Sequence, residues 1–367
     1  MDAYNEPLKL HYRPLKGWNN DPNGLVYFQG WYHVFYQYAP HFERPWKEPM
    51  HWGHARTKDF LHWEELEPAL IPDQPYDDKG CWSGTAIVKD DVLYLFYASL
   101  YIPEGKDRPV QTVSMAYSKD GLSFEKYPKN PIIGSFPEDG SPDFRDPAVA
   151  CIDGQYYLVM ASGHRETHSA RLLLYQSSDL FSWRYKGILM QWEDADFAEC
   201  PSFVHAGDKM LLTVSVVSGK KRWFSVNYGS FRNGMFFPEI SAQPDKGPDQ
   251  YAGQVFTDHK GRNLLITWIP GWPYSEWADH NVGCLSVPRE LKAADGKITA
   301  FPVDELQPFL KDDDPAITRT ADGFIIPRTR RDPAIYHGNI RDLKLLRDEY
   351  VLEVFVNGGE ETFSVLL

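Results

Sequence analysis

The sequence predicts an all-β fold: a five-bladed β-propeller followed by a short, truncated β-sandwich module. Short strand-like runs bounded by Gly, Pro, Asp or Asn recur along the chain, and helical periodicity is hard to find. Aromatic residues, which favour strands, make up 15% of the 367 residues. A hairpin pattern recurs at intervals of roughly 50 to 60 residues, which is typical of propellers and solenoids. Five such units of about four strands each would close radially and bury their edges.

The repeated hairpin is an apolar run, a turn and a second apolar run. Its first copy reads GLVYF at 24–28 and HVFY at 33–36. The remaining copies span 85–97, 148–160, 202–214 and 254–268. We interpret each copy as the inner hairpin of one blade.

A second repeated pattern lies between these hairpins. It consists of a hydroxyl residue, an Asp two positions later and an aromatic residue four positions after that, at 57–63, 118–124 and 177–183. Asp, Ser and Thr side chains bond to nearby backbone groups in turns. The pattern therefore predicts a turn between the outer strands of a blade.

The chain divides into residues 1–303 for the propeller, 304–315 for a polar linker and 316–367 for the sandwich-like module. Four strands are predicted in that module, and Asn357-Gly358-Gly359 is a hairpin signal. They lie at 323–326, 342–346, 350–356 and 362–367. A unit of this size is marginal on its own, so we expect it to pack against the propeller.

Composition excludes several classes of partner and cofactor. A net charge of −13 argues against nucleic acid and anionic membrane. No run approaches 18 apolar residues, so no transmembrane helix is predicted. Four widely spaced cysteines predict buried free thiols in a reducing, cytoplasmic location. No cofactor, metal site or phosphate-binding loop is predicted.

Three carboxylates are expected at one end of the propeller channel, where the inner strands begin. The equivalent repeat positions are occupied by Asp21, Ser83, Asp146, Glu199 and Tyr251. Crowded like charges raise one another's pKa, so one acid can stay protonated near neutral pH. A nucleophilic carboxylate beside a protonated one is the pair that a retaining glycoside hydrolase needs. A purely structural role, in which these acids cap turns or bridge blades, is the competing interpretation.

The blocks around these acids resemble the signature blocks of glycoside hydrolase family 32, which contains the invertases, inulinases and levanases. They are WNNDPNG at 18–24, WSGTA at 82–86, RDP at 145–147 and ECP at 199–201. Further matching blocks follow in the family's order at 35–38, 52–55, 59–63, 249–252 and 285–291. The resemblance covers roughly residues 10 to 303.

The resemblance implies a retaining β-fructofuranosidase that takes terminal fructose from sucrose or short fructo-oligosaccharides. Asp21 would be the nucleophile, Glu199 the general acid/base, and Asp146 the residue that binds fructose hydroxyls and stabilises the oxocarbenium-like transition state. The fructose-binding residues would be Asn20, Gln37, Trp46, Trp82, Ser83, Arg145, Tyr251 and Trp272. The implied partner is a small carbohydrate, and no cofactor is needed.

Three positions depart from the family pattern: Ala148 replaces a basic residue, Ala198 a Trp and Ser202 an acid. They leave open a fructan-binding protein whose catalysis has decayed. The sequence also leaves open a fructosyltransferase, an exo-acting fructanase on inulin or levan, and a five-bladed arabinoside hydrolase. The module is shorter than the family norm, and an edge exposed by missing strands could be covered by a second subunit in a homo-oligomer.

Overall fold

A computed structural model describes residues 7–42, 45–164, 166–270 and 280–367, and these residues form an all-β fold. Their regular elements are 27 strands and a 3₁₀ turn at Gln307–Phe309. The strands form seven sheets, five with four or five strands and two with three. The five larger sheets are the blades of a propeller, and the two smaller ones form the C-terminal module.

Each blade is an antiparallel sheet. In blades 1 to 4 neighbouring strands are consecutive in sequence, and in blade 5 the second strand pairs with both the third and the fourth. Blades 1 to 3 contain β1 (Trp18–Phe28), β2 (Trp31–Ala39), β3 (His51–Thr57), β4 (Trp63–Leu70), β5 (Gly80–Lys89), β6 (Val92–Tyr101), β7 (Val110–Ser118), β8 (Glu125–Lys126), β9 (Phe144–Ile152), β10 (Gln155–His164), β11 (Ser169–Ser177) and β12 (Arg184–Glu193). Blades 4 and 5 contain β13 (Phe197–Ala206), β14 (Lys209–Ser218), β15 (Lys221–Arg232), β16 (Met235–Ala242), β17 (Tyr251–Thr257), β18 (Asn263–Ile269), β19 (Cys284–Leu285), β20 (Arg289–Ala294) and β21 (Lys297–Pro302).

The first strands of the blades form a closed ring. Strands β1, β5, β9, β13 and β17 contact one another in this order, and β17 contacts β1. Side-chain hydrogen bonds join neighbouring members of the ring. Thr85 Oγ1 donates to the carbonyl oxygen of Pro147 at 3.0 Å, and the N–H of Val255 donates to Ser202 Oγ at 2.9 Å. The predicted five-bladed arrangement with inner hairpins is therefore confirmed.

The repeated hydroxyl–Asp–aromatic pattern forms a turn between the third and fourth strands of a blade, as predicted. In blade 1, Thr57 Oγ1 accepts a hydrogen bond from the N–H of Phe60 at 2.9 Å. Asp59 Oδ1 accepts one from the N–H of His62 at 2.8 Å. The same pairs of bonds recur at Ser118 with Asp120 and at Ser177 with Asp179.

Every inner strand carries a β-bulge near its beginning, where two residues oppose one residue of the second strand. The bulged pairs are Asn20-Asp21, Trp82-Ser83, Asp146-Pro147, Cys200-Pro201 and Ala252-Gly253. In blades 3 to 5 the first bulged residue has a positive φ, of 59°, 48° and 50° in turn. A bulge changes the direction in which neighbouring side chains point. The bulges therefore shape the end of the channel where the predicted site residues lie.

The C-terminal module contains six strands, two more than predicted. One sheet contains β22 (Thr318–Thr320), β23 (Gly323–Arg328) and β24 (Arg331–His337), and the other β25 (Leu343–Asp348), β26 (Val351–Val356) and β27 (Glu361–Leu366). The two sheets share one apolar core, which includes Phe324, Val354 and Phe363. The module is thus a small two-sheet sandwich.

The module packs against the propeller, as expected. Leu346 and Phe355 of the module belong to the same apolar cluster as Ile266 and Val287 of blade 5. Leu306, in the segment predicted as a linker, is fully buried in this cluster. The contact between the two units is therefore continuous and partly apolar.

Candidate active site

A cavity of about 230 Å³ lies where the inner strands begin. Every predicted site residue that the structure describes lines it; Trp272 lies outside the described residues. The lining consists of Asn20, Asp21, Gln37, Trp46, Trp82, Ser83, Arg145, Asp146, Phe197, Glu199, Arg222 and Tyr251. Residues from five blades and from positions far apart in the chain thus meet in one place.

The three carboxylates do not occupy strictly equivalent positions, which corrects the prediction from the repeat. Glu199 stands directly before the bulge of its strand, as does Tyr251. Asp146 is the first residue of its bulge, whereas Asp21 is the second residue, as is Ser83. A regular strand would point consecutive residues to opposite faces. Because of the bulges, the residue before a bulge (Glu199) and either bulged residue (Asp146 or Asp21) can point into the same cavity.

Asp21 is half-buried and lines the cavity from the side of blade 1. Ser83 Oγ donates a hydrogen bond to Asp21 Oδ2 at 2.8 Å, and Cys200 Sγ lies 3.5 Å from the same oxygen. Burial and the nearby charges of Asp146 and Glu199 raise the pKa of Asp21 to about 7, although the two hydrogen bonds oppose this rise. Burial and crowding therefore disfavour the charged form of Asp21.

Asp146 is almost fully buried, with 3% of its surface exposed. Its Oδ2 accepts a hydrogen bond from the N–H of Cys200 at 2.8 Å, and Cys200 Sγ lies 3.5 Å away. Burial and the charge of Glu199 raise the pKa of Asp146 to about 6, against the lowering effect of Arg145. The Cys200 thiol thus lies within 3.5 Å of a carboxyl oxygen of both Asp21 and Asp146.

Glu199 is held through both carboxyl oxygens. Arg145 donates to Oε1 from Nη2 at 3.0 Å and from Nε at 3.2 Å. The hydroxyl of Tyr251 donates to Oε2. Arg145 also donates from Nη1 to Asp143 Oδ1 at 3.1 Å, so its guanidinium is fixed from both sides. These contacts set the direction in which the Glu199 carboxyl faces the cavity.

A buried polar atom in the cavity lacks a hydrogen-bond partner among the described residues. This atom is Oδ1 of Asn20, a residue that is 5% exposed. Leaving a buried acceptor unpaired costs about 1–3 kcal/mol. A hydroxyl of a bound ligand would satisfy it, so Asn20 has the position and chemistry of a ligand-binding residue.

Two further lining residues, Phe197 and Arg222, were not predicted. The guanidinium of Arg145 lies 4.8 Å from the ring centre of Phe197, and that of Arg222 lies 5.6 Å from the ring centre of Tyr251. Both distances are within the range of cation–π contacts. Neither residue belongs to a repeated block, and the sequence signal at Arg222 is only the basic run at 220–222.

None of the three departures from the family pattern is among the described lining residues. Ala148 and Ala198 belong to the apolar cluster between blades 3 and 4. Ser202 accepts a hydrogen bond from the N–H of Val255 and so joins blades 4 and 5. The side chains at these three positions therefore lie outside the described cavity lining.

Other features of the described chain concern cofactors, membranes and thiols. No three His, Cys, Asp or Glu side chains in the described ranges are grouped so as to hold a metal ion. A helix with the length and apolar character of a membrane span is not found in the described part either.

The cysteines are free, but only Cys81, Cys200 and Cys284 are buried. Cys151 is exposed, which corrects the prediction for that residue, because it lies at the end of β9 beside the turn at 153–154.

Comparison with known proteins assigns the chain to a family. The family model described as the glycosyl hydrolases family 32 N-terminal domain matches residues 11–302. The chain belongs to glycoside hydrolase family 32. A sucrose-6-phosphate hydrolase of Zymomonas mobilis is 35% identical over 324 residues, which cover 81% of this chain and 62% of that protein. A raffinose invertase of Escherichia coli is 34% identical and covers 81% of this chain and 65% of that protein.

Solved structures of this family have the same fold. A family 32 β-fructofuranosidase of Bombyx mori superposes with a TM-score of 0.86 at 26% identity, covering 100% of this chain and 89% of that one. A variant of the Bombyx mori enzyme in complex with sucrose superposes with a TM-score of 0.85, at the same identity and coverage. The present family 32 chain spans less than two thirds of the length of the Zymomonas and Escherichia proteins.

Proposed function

We propose that this family 32 chain is a retaining β-fructofuranosidase that releases terminal fructose from sucrose or a short fructo-oligosaccharide. The observation that carries the proposal is the meeting of Asp21, Asp146 and Glu199 in one cavity. Two of these carboxyls have a raised pKa because burial and mutual repulsion disfavour their charged forms. Acids whose pKa is perturbed by burial and by a nearby charge, and which lie in a cleft, are candidates for a functional site.

The proposed reaction has two steps. In the first, Glu199 protonates the oxygen of the leaving sugar while an Asp21 carboxylate oxygen attacks the anomeric carbon, so that a fructosyl–enzyme bond forms as the glycosidic bond breaks. In the second, Glu199 takes a proton from water, whose oxygen attacks the same carbon and releases Asp21. The configuration at the anomeric carbon is inverted twice and thus retained.

The neighbouring groups suit these roles. Arg145 and Tyr251 both donate to Glu199 and would keep its carboxyl directed at the leaving oxygen. Asp146 would accept hydrogen bonds from fructose hydroxyls and stabilise positive charge in the transition state. The unpaired Oδ1 of Asn20 would accept another fructose hydroxyl.

The relatives support a sucrose-type substrate. The proteins similar to this chain are named as a sucrose-6-phosphate hydrolase and a raffinose invertase, and one similar structure contains sucrose. A small carbohydrate is accordingly the proposed partner. A cytoplasmic location is also proposed, and the free cysteines support a reducing compartment.

The proposal is tested by measuring fructose and glucose release from sucrose, sucrose 6-phosphate, kestose, inulin and levan. We expect the wild type to release fructose from at least one short substrate, and Asp21→Asn and Glu199→Gln to lose at least about 10³-fold in kcat. Glu239→Gln is a matched control, because Glu239 is exposed on the outer strand of the same blade as Glu199. Substantial activity in folded Asp21→Asn would rule out Asp21 as the nucleophile.

A second measurement tests retention and the possibility of fructosyl transfer. With methanol present, a retaining enzyme should form methyl β-fructofuranoside, because methanol intercepts the fructosyl–enzyme intermediate. Formation of the α-anomer would contradict the proposed mechanism. Longer fructosyl products from sucrose alone would indicate a fructosyltransferase, and binding without turnover would indicate a decayed site.

A further inference from the structure

The connection between blades 4 and 5 lies along the edge of the sandwich module. It spans residues 243–250, between β16 and β17, and it runs parallel to the module's edge strand β27 at the bridge between Asp245 and Thr362. The N–H of Thr362 donates to the carbonyl oxygen of Pro244 at 2.8 Å. The N–H of Lys246 donates in turn to the carbonyl oxygen of Thr362 at 2.8 Å. The module thus binds this connection through backbone hydrogen bonds.

A buried ion pair fixes the end of this connection that leads into β17. Arg328 of β23 donates from Nη2 to both carboxyl oxygens of Asp249, at 2.7 Å each. Asp249 also bonds to β27: its N–H donates to the carbonyl oxygen of Ser364 at 3.2 Å, and its Oδ2 accepts from the N–H of Leu366 at 2.9 Å. The side chains of Arg328 and Asp249 are 7% and 1% exposed, so salt screens this pair little. Both sheets of the module therefore hold Asp249.

Tyr251 follows two residues after Asp249 and belongs to the cavity. Its hydroxyl donates to Glu199 Oε2, and its side chain is among the lining residues. After Tyr251 the chain is fixed by blade 5, because Tyr251 pairs with Trp268 of β18 and the bulge at 252–253 follows directly. The module holds the chain before Tyr251, and blade 5 holds the chain after it. The position of the Tyr251 hydroxyl therefore depends on both units.

We propose that the sandwich module positions the Tyr251 hydroxyl, and through it the Glu199 carboxyl, with Arg328 as the positioning residue. This inference rests on the proposed function, in which Glu199 protonates the leaving oxygen. A hydrogen bond weakens steeply when its distance or angle changes, so a small displacement of the chain before Tyr251 misdirects the Glu199 carboxyl. Arg328 is not among the described residues that line the cavity, and it acts through Asp249 and Tyr251. The module thus serves the reaction that takes place in the propeller.

The test compares kcat/KM for two substrates that differ in their need for a general acid. The leaving oxygen of sucrose needs a proton, whereas para-nitrophenyl β-fructofuranoside releases a stable nitrophenolate without one. We expect Arg328→Gln to lower kcat/KM for sucrose at least about 10-fold, because misplacing a reacting group by about 1 Å can cost more than that. The value for the nitrophenyl fructoside should fall less than about 3-fold. An equal loss on both substrates would indicate a merely structural role and overturn the proposal.

Arg262→Gln is the matched control. Arg262 is a similarly buried arginine, with 11% of its side chain exposed, and it pairs with Asp258 at 2.9 Å and with Glu305 at 3.0 Å. It lies in the turn between β17 and β18, at the other end of β17 from Tyr251. We expect this variant to lose thermal stability but to keep the wild-type ratio of the two kcat/KM values. A ratio that changes as much as in Arg328→Gln would overturn the proposal.

Two further variants test the route from the module to Tyr251. Tyr251→Phe removes the hydroxyl, so adding Arg328→Gln to it should change the ratio of the two kcat/KM values less than about 2-fold. A change as large as that caused by Arg328→Gln alone would show that Arg328 does not act through Tyr251. Gly247→Ala displaces the connection without leaving a buried charge unpaired, because its Cβ would lie 2.4 Å from the backbone nitrogen of Ser364. It should change the ratio in the same direction as Arg328→Gln, and an unchanged ratio in both folded variants would contradict the proposal.

A measurement that needs no turnover separates this proposal from the proposed function. Amide hydrogen exchange followed by mass spectrometry reports the protection of peptides that cover residues 243–253. We expect these peptides to exchange faster in Arg328→Gln than in the wild type, and at the wild-type rate in Arg262→Gln. Equal exchange in the wild type and Arg328→Gln would contradict anchoring by the module. If the wild type released no fructose from any substrate, the proposed function would fail while the exchange comparison still decided whether the module holds this segment.

Discussion

Asp21 combines two opposing requirements at the scale of single residues. As the proposed nucleophile, Asp21 must be charged to attack, yet burial beside Asp146 and Glu199 raises its pKa to about 7. Ser83 and Cys200 oppose this rise, because each donates a hydrogen bond that stabilises the charged form. Hydrogen bonds from Ser83 and Cys200 therefore stabilise the charged form of Asp21, which the two neighbouring carboxyls destabilise.

Removing the Ser83 hydroxyl should move the pH profile. The Asp21 carboxylate loses a stabilising hydrogen bond in Ser83→Ala, so its pKa rises and the acid limb of kcat/KM shifts to higher pH. We expect a shift of roughly half a unit to one unit, the equivalent of about 1 kcal/mol. The measurement is kcat/KM for sucrose between pH 4.5 and 8.5.

Ser99→Ala provides the control for this profile. Ser99 is buried in the second strand of the same blade and bonds to Thr112 and Ser114, outside the cavity lining. Its acid limb should stay at the wild-type pH. An acid limb in Ser83→Ala that stays in place or moves to lower pH would show that Asp21 does not control it.

The predicted site residues lie in recognisable local sequence motifs, and the missed ones do not. Asp21 and Asp146 directly precede a proline at the start of a predicted inner strand, so their place near the end of the channel could be predicted from the repeat. Phe197 and Arg222 carry no such local mark, and they join the site through contacts with Arg145 and Tyr251. Such contacts between distant parts of the chain depend on the tertiary structure and cannot be read from the sequence.

The bulges explain, at the scale of the strand, how the carboxyls reach one cavity. Hairpins and turns could be predicted because their hydrogen bonds are local, as at Thr57 and Asp59. The bulges could not, since they depend on the register between two strands. A Cβ added at Gly84, directly after the bulge of β5, would lie 1.9 Å from the carbonyl oxygen of Phe96. Only glycine fits at that position.

Gly84→Ala should therefore disturb the bulge and with it Ser83. We expect a loss of about 1–3 kcal/mol in the free energy of unfolding, as for other overpacked sites, and a fall in kcat of the folded enzyme. Gly229→Ala is the matched control, because its Cβ would lie 2.0 Å from the carbonyl oxygen of Phe237 in the outer part of blade 4. Urea unfolding and active-site assays of both variants make the comparison. A kcat that falls equally in the control would indicate general destabilisation rather than a displaced Ser83.

At the scale of the molecule, a buried ionic cluster joins the propeller to the sandwich module. Arg289 of β20 is fully buried and lies 2.8 Å from Asp245 and 2.9 Å from Glu353 of the module. His11 lies 3.0 Å from both Glu353 and Asp348. Burial alone would lower the pKa of His11, but hydrogen bonds to the two acids outweigh it and raise the pKa to about 9. The contact therefore contains paired charges rather than an apolar surface alone.

This interface was predicted only in outline. The small size of the module indicated that it must pack against the propeller, and four of its six strands show clear apolar runs. Strands β22 and β24 were missed because most of their residues are exposed, and β22 contains no apolar residue. The pairing of Arg289 with Glu353 joins residues 64 positions apart, which no local pattern reveals.

Arg289→Met should loosen this interface. The variant leaves Glu353 and Asp245 without their shared cation in a buried place, so we expect a loss of about 3–5 kcal/mol in the free energy of unfolding. The triple variant Arg289→Met, Asp245→Asn and Glu353→Gln also neutralises both acids. It should recover part of that loss, because neither former partner of Arg289 then carries a buried charge. Urea unfolding followed by tryptophan fluorescence measures the differences at pH 7. If the triple variant were less stable than Arg289→Met, the cost would come from lost packing and hydrogen bonds, and the uncompensated charges would not explain it.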